Sequence, residues 1–500
     1  MKALLRRLFH FLIPALIGVL GADEGAGIKV DWPQFRGPNS SGIGTGSPPV
    51  EFGPGNHQIW RVPMEEGHSS PCIVGDSIYL TTVDREQGQL AVVCLDRASG
   101  ANRWTTTLEP EQMEKGHPSF NPASSTVACD GERVVAYFGS YGLVGLNLEG
   151  DVIWENKMPL TKSFSGNATS PIIVGDHVIL YRGNYTDHFI LAVDKRTGVE
   201  VWKVKQDEEI TGEMACTAVP IVVDGKLIVH SARSIQAINP DDGSQIWEMK
   251  AATTATSTPI VAGQEIVVAA WNKMGEPALR PKFPDFQQLV AANDLNDDQL
   301  IGKKEFPKLW IFHRPDGAEA PMNGATIRFE RADRNQDRQI DSGEWAAQIG
   351  GIEKWRAGYQ THGILGIPIN GKGTVDPGTI RTLETQGIPE VPSPLFDGTY
   401  LYFVKNGGVM TCLDWRNGRR VYRTRTGGKG THYASPVLAD GKIFSTAGDG
   451  RISVLTTGPE PQVLANNEMG DDVYATPAIV DGVIYVRTHS SLFAFGGGKK

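Results

Sequence analysis

The sequence predicts an all-β protein, an eight-bladed β-propeller of four-stranded blades with a small α-helical module inserted in the fifth blade. Three observations predict this fold. A unit of about 45 residues recurs with a tryptophan near its end, the content of turn residues is high, and one interval between repeats is too long for the blades it must contain. The chain has 58 glycines and 31 prolines in 500 residues, above the usual combined share of about 12%. Hydrophobic residues make up 40% of it, so the core is sufficient but divided into short strands.

The N-terminus predicts a secretory signal peptide over residues 1–21. A basic start, MKALLRR, is followed by LFHFLIPALIGVL, which is too short to span a bilayer, and then by small residues. An uncleaved membrane anchor is the alternative interpretation. We expect an extended segment over residues 22–54 before the blades begin, and no membrane span in the mature chain.

Charge and cysteine content limit the classes of partner and fold. The net charge is -9, with no basic run beyond the terminus, which argues against nucleic-acid binding and against an anionic membrane surface. The five cysteines are odd in number and lie mostly in apolar runs, which favours buried free thiols over a disulfide framework. We expect a monomer.

The repeated unit begins with Ser-Pro or Thr-Pro, continues through a Val/Ile run and an Asp-Gly turn, and ends in Asp-x-x-x-Gly-x-x-x-Trp. Asp96, Gly100 and Trp104 show this ending, and Asp194, Gly198 and Trp202 repeat it. The acidic residue starts a turn, glycine takes the positive φ, and tryptophan packs inward against a neighbouring unit.

The spacing of these units predicts the blade count. Successive tryptophans at positions 60, 104, 154, 202 and 247 lie 44, 50, 48 and 45 residues apart, the length of a propeller blade. An all-β sandwich gives no reason for this period. Eight innermost strands are expected, beginning near Ser70, Ser124, Ser170, Val219, Thr258, Ser393, Ser435 and Thr476. The blades then occupy residues 55–274 and 361–497, with a tail at 498–500.

The two ends of the chain complement each other. The last unit contains only three strands, and the segment HQIWRVP at 57–63 precedes any complete blade. We therefore expect the N-terminal strand to complete the last blade, which closes the ring and removes its exposed edges.

These motifs resemble a known family. Residues Ala192 to Trp202 match every position of Ala-x-Asp-x-x-x-Gly-x-x-x-Trp, the tryptophan-docking motif of the pyrroloquinoline-quinone (PQQ) type propeller repeat. The segment WPQFRGPNSSGI at 32–43 is similar to the N-terminal segment of secreted bacterial proteins with this propeller. The resemblance implies the fold but not an activity, because such propellers serve both as quinoprotein dehydrogenases and as scaffolds of outer-membrane assembly.

The fifth blade carries an insertion. Trp247 and Tyr422 are 175 residues apart, where two blades need about 90 to 100. The added stretch, residues 275–360, loses the strand pattern and predicts short helices around two acidic loops of twelve residues.

Both loops resemble a paired EF-hand. Oxygen ligands at positions 1, 3, 5, 7 and 12 suit calcium, with the position 7 ligand a backbone carbonyl, and we expect two Ca²⁺ sites. The predicted ligands are Asp294, Asn296, Asp298, Leu300 and Glu305 in the first loop and Asp333, Asn335, Asp337, Gln339 and Glu344 in the second. A helical insertion without calcium is the alternative.

Two further features of the loops can be predicted. Their offset of 39 residues suits two hands that pack together through a short bridge between Ile301 and Ile340. Position 6, usually glycine, is Gln299 in one loop and Arg338 in the other. Each must adopt positive φ at a cost of about 1 kcal/mol or more, which lowers the expected affinity.

The segments that precede the innermost strands line one mouth of the propeller axis, where the resemblance implies that quinoproteins hold their cofactor. His68, His117 and His432 occupy such segments and predict a polar axial pocket for a cofactor. The alternative is that these histidines form hydrogen bonds between blades. Charged residues also fall at this mouth, namely Lys162, Glu213, Lys429, Asp471 and Asp472.

Two functional hypotheses follow. The first is a secreted or periplasmic calcium-binding propeller that binds or scaffolds a cell-envelope protein or glycan. The second is a PQQ-dependent alcohol or sugar dehydrogenase with the quinone on the axis. The chain lacks the adjacent cysteine pair of methanol-dehydrogenase-like enzymes, and no catalytic base or axial calcium ligand can be assigned. The first hypothesis is therefore favoured.

Overall fold

The computed structural model describes residues 28–497, apart from gaps at 164, 186, 208–214, 273–274, 276–278, 314–323 and 358–360. The expected signal peptide, Glu213 and the tail at 498–500 lie outside the described residues. The described chain is an eight-bladed propeller of four-stranded blades with few helices. This confirms the predicted fold class.

Two strands, Val30–Trp32 (β1) and Gln58–Pro63 (β2), precede the first complete blade. Each of blades 1 to 4 then consists of four consecutive antiparallel strands. Blade 1 contains Cys72–Val74 (β3), Ser77–Asp84 (β4), Gln89–Asp96 (β5) and Asn102–Leu108 (β6). Blade 2 contains Ala128–Cys129 (β7), Val134–Phe138 (β8), Gly142–Leu146 (β9) and Val152–Lys157 (β10). Blade 3 contains Ile172–Val174 (β11), His177–Arg182 (β12), Phe189–Asp194 (β13) and Glu200–Lys205 (β14). Blade 4 contains Ile221–Val223 (β15), Lys226–His230 (β16), Ser234–Ile238 (β17) and Gln245–Lys250 (β18).

Blade 5 is interrupted. It starts with Ile260–Ala262 (β19) and Glu265–Ala270 (β20). The insertion follows, with Phe286–Asn293 (α1), Ile301–Gly302 (β21), Trp310–His313 (β22), Gly324–Thr326 (β23), Phe329–Ala332 (α2), Gln339–Ile340 (β24) and Ser342–Ala357 (α3). The blade resumes with Gly363–Pro368 (β25) and, after Gly373–Val375 (β26), ends with Arg381–Glu384 (β27).

The last three blades complete the ring. Blade 6 contains Leu395–Phe396 (β28), Tyr400–Lys405 (β29), Val409–Asp414 (β30) and Arg420–Arg425 (β31). Blade 7 contains Val437–Ala439 (β32), Lys442–Thr446 (β33), Arg451–Thr456 (β34) and Val463–Glu468 (β35). Blade 8 contains Ala478–Val480 (β36), Val483–Arg487 (β37) and Ser491–Gly496 (β38), and its outermost strand is β2. The N-terminal strand therefore closes the last blade, as predicted.

The tryptophan of one blade packs on the turn of the next. The indole of Trp154 donates a hydrogen bond of 2.9 Å to the carbonyl of Lys195, and a Cβ at Gly198 would lie 2.5 Å from its ring. Trp60, Trp104 and Trp202 make equivalent bonds to Arg97, Leu148 and Pro240. The repeat motif is thus the contact that joins neighbouring blades.

The N-terminal segment crosses the innermost strands at one end of the propeller axis. This end is opposite to the one at which these strands begin. We call residues 30–47 the N-terminal plug. It contacts several blades: β1 pairs with β3, Asn39 forms two hydrogen bonds with Val222, and the amide of Gly44 donates to Leu438. Trp32 and Arg36 of the plug are buried, so the plug belongs to the core.

The insertion has a core of its own. Leu289, Ile301, Ile340 and Trp345 form its centre together with neighbouring apolar side chains. Among the described residues, none of the helices has the length and hydrophobicity that a transmembrane helix requires. All five cysteines are buried and none of them forms a disulfide, as the sequence indicates.

Candidate functional site

A cavity of about 190 Å³ lies on the propeller axis, at the start of the innermost strands. Serine and threonine are the most frequent lining residues, and four aromatic side chains join them: Phe35, Phe120, Tyr433 and Tyr474. Among the described residues, the lining contains no Asp, Glu, Lys or Arg. Phe35 belongs to the N-terminal plug, which closes the end of the axis opposite to the strand starts.

A ring of hydroxyl groups surrounds this cavity. At the start of seven of the eight innermost strands, a backbone amide donates to the Ser or Thr hydroxyl of the following blade, at distances of 2.9 to 3.1 Å. The accepting hydroxyls belong to Thr126, Ser170, Thr258, Ser393, Ser435, Thr476 and Ser70. The eighth position is Val219, which has no hydroxyl. The repeated Ser-Pro and Thr-Pro motifs therefore join the blades around the axis.

His68 is the one predicted axial histidine that lines the cavity. Its ring centroid lies 4.7 Å from that of Tyr474. Burial, together with the nearby positive charge of Arg487, lowers the pKa of His68 to about 3. The imidazole is therefore neutral near pH 7.

His117 and His432 lie in the loops that enter blades 2 and 7, and they are not part of the cavity lining. His117 Nδ1 lies 2.8 Å from the hydroxyl of Ser119. His432 is buried, which lowers its pKa, and its amide donates to Asn406. The side chains next to them in sequence, Ser119 and Tyr433, face the cavity instead.

Four of the charged residues expected at this mouth are described, and none of these is part of the lining: Lys162, Lys429, Asp471 and Asp472. Lys162 is exposed, and its backbone amide donates to Asn184. Asp471 accepts hydrogen bonds from the amide and the hydroxyl of Ser490. These groups therefore organise the rim, and the cavity stays uncharged among the described residues.

The sequence did not reveal a buried carboxyl group at Glu114. Its side chain is 3% exposed and accepts a hydrogen bond of 2.8 Å from the amide of Asn167. Burial raises its pKa to about 7. Asn167 and Arg182 both donate to the hydroxyl of Tyr137, so a polar cluster joins blades 2 and 3. Glu114 lies in a loop without repeat signal, which is why no pattern indicated it.

The second acidic loop brings its carboxylates together. Oxygen atoms of Asp333, Asp337 and Glu344 lie within 4.8 Å of one another. Asp333 and Glu344 are 7% and 9% exposed, and Oδ1 of Asp333 has no hydrogen-bond partner among the described residues. A buried carboxylate oxygen without a partner is costly, and a cation there would satisfy it. The position 3 and position 7 residues, Asn335 and Gln339, lie in the same loop.

The first loop is more open. Asp298 is exposed and accepts hydrogen bonds from Asn296 and Gln339. Glu305 accepts from the amides of Leu295 and Gly302. Asp294, Asp298 and Glu305 do not form a comparable carboxylate group in the part of the chain that the structure describes. Leu300, the expected carbonyl ligand, is half-buried.

The two loops pack as the sequence predicts. Ile301 pairs with Ile340 in an antiparallel bridge. Gln299 and Arg338 at position 6 adopt φ of 64° and 74°, and their amides donate to Asp294 and Asp333 at position 1. The expected backbone strain is therefore present. The predicted helices surround the loops: α1 precedes the first loop, α2 precedes the second, and α3 begins at the end of the second. The first loop itself leads into a turn and an irregular segment.

The insertion stands on the same face as the mouth of the cavity. It leaves the propeller between β20 and β25, the second and third strands of blade 5. Because β20 runs antiparallel to β19, it ends on the face where the innermost strand begins. Thr256 of the cavity lining is bonded to Thr254, whose amide donates to Trp271 at the start of the insertion.

Together, the blades, the docking motif and the closed ring define an eight-bladed propeller built from PQQ-like repeats. The family model described as outer membrane protein assembly factor BamB matches residues 53–186 and 91–320. These matches cover more than half of the chain, and the chain belongs to this family.

A curated relative agrees with this assignment. It is the outer membrane protein assembly factor BamB of Moranella endobia (strain PCIT), 24% identical over 254 residues. The match covers 43% of this chain and 62% of the relative, so the chain spans less than two thirds of that protein's length.

Solved structures share the fold. BamB from Moraxella catarrhalis is 12% identical with a TM-score of 0.50, over 89% of this chain and 98% of that one. The quinohemoprotein alcohol dehydrogenase of Comamonas testosteroni is 14% identical with a TM-score of 0.53, over 94% and 81%. At this identity the likeness shows architecture, and it does not distinguish a scaffold from an enzyme.

Proposed function

We propose that the chain is a calcium-binding propeller of the cell envelope, periplasmic or secreted, that binds or scaffolds other envelope components. One observation carries the choice of a binding role over catalysis: the described lining of the axial cavity is uncharged. Membership of a family described by an outer membrane assembly factor supports an envelope partner.

A quinone dehydrogenase would need a different axial site. By the resemblance, the quinone stacks against adjacent cysteines and an axial Ca²⁺ has a carboxylate base nearby. The described lining offers neither a cysteine pair nor a carboxylate, and His68 is neutral near pH 7 because burial lowers its pKa to about 3. These residues do not fit the quinone, and we derive no reaction through it.

Calcium fits the second acidic loop best. Three converging carboxylates provide the hard oxygen ligands that Ca²⁺ prefers. The unpartnered and buried Oδ1 of Asp333 is the observation that points to a cation. The first loop would take a second, weaker ion, since its carboxylates are more exposed and do not converge as those of the second loop do among the described residues.

The calcium proposal can be tested by calorimetry and thermal unfolding of the purified chain, in calcium and in chelator. We expect binding of Ca²⁺ with a dissociation constant between about 10⁻⁵ and 10⁻³ M and a raised melting temperature. Glu344→Gln, which removes the expected bidentate ligand, should abolish the tighter site. Glu305→Gln is the matched change in the first loop and should leave the tighter site intact.

Two results would contradict the proposal: no heat of binding, or a melting temperature that calcium and chelator leave equal. The envelope role is tested separately by cross-linking in cells with wild type and Glu344→Gln. A reproducible partner lost in the variant supports it. Formation of a bound quinone with dye reduction by an alcohol would instead establish the dehydrogenase.

A further inference from the structure

The axial cavity is a blind pocket with a definite chemistry. The N-terminal plug closes one end and contributes Phe35 to its lining. The other end faces the side of the propeller that carries the insertion. Its volume of about 190 Å³ is below the roughly 300 Å³ of a drug-sized pocket, so a ligand of one small ring fits.

The hydroxyl ring can both donate and accept. The oxygens of Ser70, Thr126 and Ser170 each accept one backbone amide, and a hydroxyl keeps one hydrogen and a second lone pair. The same holds for Ser393, Ser435 and Thr476 around the axis, and all six line the cavity. Groups that donate and accept at once match the hydroxyls of a polyol.

Aromatic rings supply the apolar part of the lining. The ring of Tyr474 lies 4.7 Å from His68 and 5.5 Å from Tyr433, centroid to centroid. Phe120 also lines the cavity, and its ring fills the space where a Cβ of Gly166 would stand. The electron-rich face of an aromatic ring attracts polarised C–H groups, which a sugar ring presents on its flat faces.

Charge excludes other small ligands. A carboxylate or phosphate in the cavity would be buried without a cation among the described lining residues, which is costly. Two buried guanidinium groups stand behind the lining. Arg36 follows Phe35 in the plug, is not a lining residue, and donates to the carbonyl of Pro394 at 2.7 Å. Arg487 lies behind His68, and its guanidinium already donates to the hydroxyl of Ser69 and the carbonyl of Thr81 at 2.6 and 2.7 Å. It is not a lining residue.

We propose that the axial cavity binds one neutral sugar ring, the end of a glycan, by stacking on Tyr474 and Tyr433 and by hydrogen bonds to the ring of Ser and Thr hydroxyls. This deepens the proposed binding role and rests on it, because it takes the propeller as a binding module. The insertion, on the same face, stands beside the path by which a glycan chain enters.

The test uses calorimetry of the full chain with methyl glycosides of glucose, galactose, mannose and N-acetylglucosamine, and with glucuronate as the charged analogue. We expect at least one neutral glycoside to bind with a dissociation constant of about 1 mM, typical of a ligand with about a dozen heavy atoms. Glucuronate should bind at least about tenfold more weakly than glucoside, or not at all, because its charge is unpaired.

Variants locate the site. Tyr474→Ala should weaken binding at least about tenfold, and Ala168→Phe, which fills the cavity from another wall, should abolish it. Tyr185→Ala makes the same chemical change as the first variant at an exposed tyrosine outside the lining and should leave binding unchanged. Thermal unfolding checks that each variant is folded. Because two different cavity variants are compared, a single misfolded variant does not decide the result.

Three results overturn the proposal: no neutral glycoside binds at 20 times the expected dissociation constant, glucuronate binds as tightly as glucoside, or both cavity variants bind like wild type. These results are distinguishable from failure of the proposed function. The calcium sites and the envelope partner are measured with other ligands and with variants of the insertion.

Discussion

Each docking glycine combines a backbone conformation with a close contact. Gly198 has φ of 70°, and its missing Cβ leaves room for the indole of Trp154. Gly175 in the same blade has φ of 59° but nothing within 4 Å of the position of a Cβ. The two glycines therefore separate the cost of positive φ from the cost of overpacking.

Gly198→Ala should destabilise the protein more than Gly175→Ala. We expect about 1 kcal/mol for the backbone strain at Gly175, and a further 1–3 kcal/mol at Gly198 because the methyl group meets the Trp154 ring. Denaturant unfolding of both variants measures the difference. Equal losses would show that the turn relaxes and that the docking contact is not tight.

Glu114 makes the free energy of unfolding depend on pH. Burial raises its pKa from 4.5 to about 7, so between these values the folded chain binds more protons than the unfolded chain. The free energy of unfolding contributed by this group therefore falls as the pH rises through that window, by up to about 3 kcal/mol.

Glu114→Gln should remove this slope and stabilise the protein above pH 7, since the amide oxygen can still accept from Asn167. Urea unfolding at pH 5 and pH 8 is the measurement. Glu111→Gln, an exposed position of the same loop, is the control and should keep the wild-type slope. A Glu114→Gln protein that loses stability at pH 8 would show that the ionised carboxylate is needed.

At the scale of elements, the innermost strands are joined by side chains. Seven hydroxyls accept amides from the preceding blade, and the ring is interrupted at Val219 between blades 3 and 4. Val219 is buried and lies where the amide of Ser170 would find the eighth hydroxyl. Threonine has nearly the shape of valine, so the missing bond can be added.

Val219→Thr should stabilise the protein by about 1 kcal/mol, the usual net value of one hydrogen bond. Val222→Thr introduces the same hydroxyl further along β15, outside the ring, and should give no gain. Thermal and urea unfolding compare the two. If Val219→Thr is no more stable than Val222→Thr, the ring bonds add nothing beyond the packing of the strands.

The interruption of blade 5 changes how blade 4 ends. Trp247 is fully buried, yet its indole N–H has no hydrogen-bond partner among the described residues. Instead of a docking turn, β26 pairs in parallel with β18 at Trp247. β26 therefore covers Trp247. In blades 1 to 3 this tryptophan position contacts the docking turn of the next blade, and the interrupted fifth blade does not provide that turn.

At the scale of the whole molecule, the N-terminal segment has two roles, since β2 closes blade 8 and the plug covers the axis. A chain that begins at Gly55 lacks the plug and keeps β2, whereas one that begins at Met64 lacks both. We expect the Met64 chain to melt at a lower temperature and to self-associate, because the edge of β38 is left unpaired.

Light scattering and thermal unfolding compare these two truncated chains with the full chain. The Gly55 chain should stay monomeric, although it loses stability with the buried side chains of the plug. If the two truncated chains behave alike, closure by β2 is unimportant and the plug accounts for the whole effect.

Sequence patterns alone were enough to predict the number of blades, the closing strand, the position of the insertion and the two acidic loops. These features are periodic or local, so spacing and turn chemistry define them: Asp194, Gly198 and Trp202 lie at the end of β13, in the following turn and in β14. The positive φ of Gln299 and Arg338 followed from loop position in the same way.

Which side chains meet on the axis depends on the folded structure, and no sequence pattern predicted it. His68 lines the cavity and His117 and His432 do not, because that choice depends on how each loop turns as it enters its blade. Phe35 reaches the axis because the N-terminal plug crosses several blades, and burial alone raised the pKa of Glu114. Such contacts join residues far apart in the chain, and no local pattern records them.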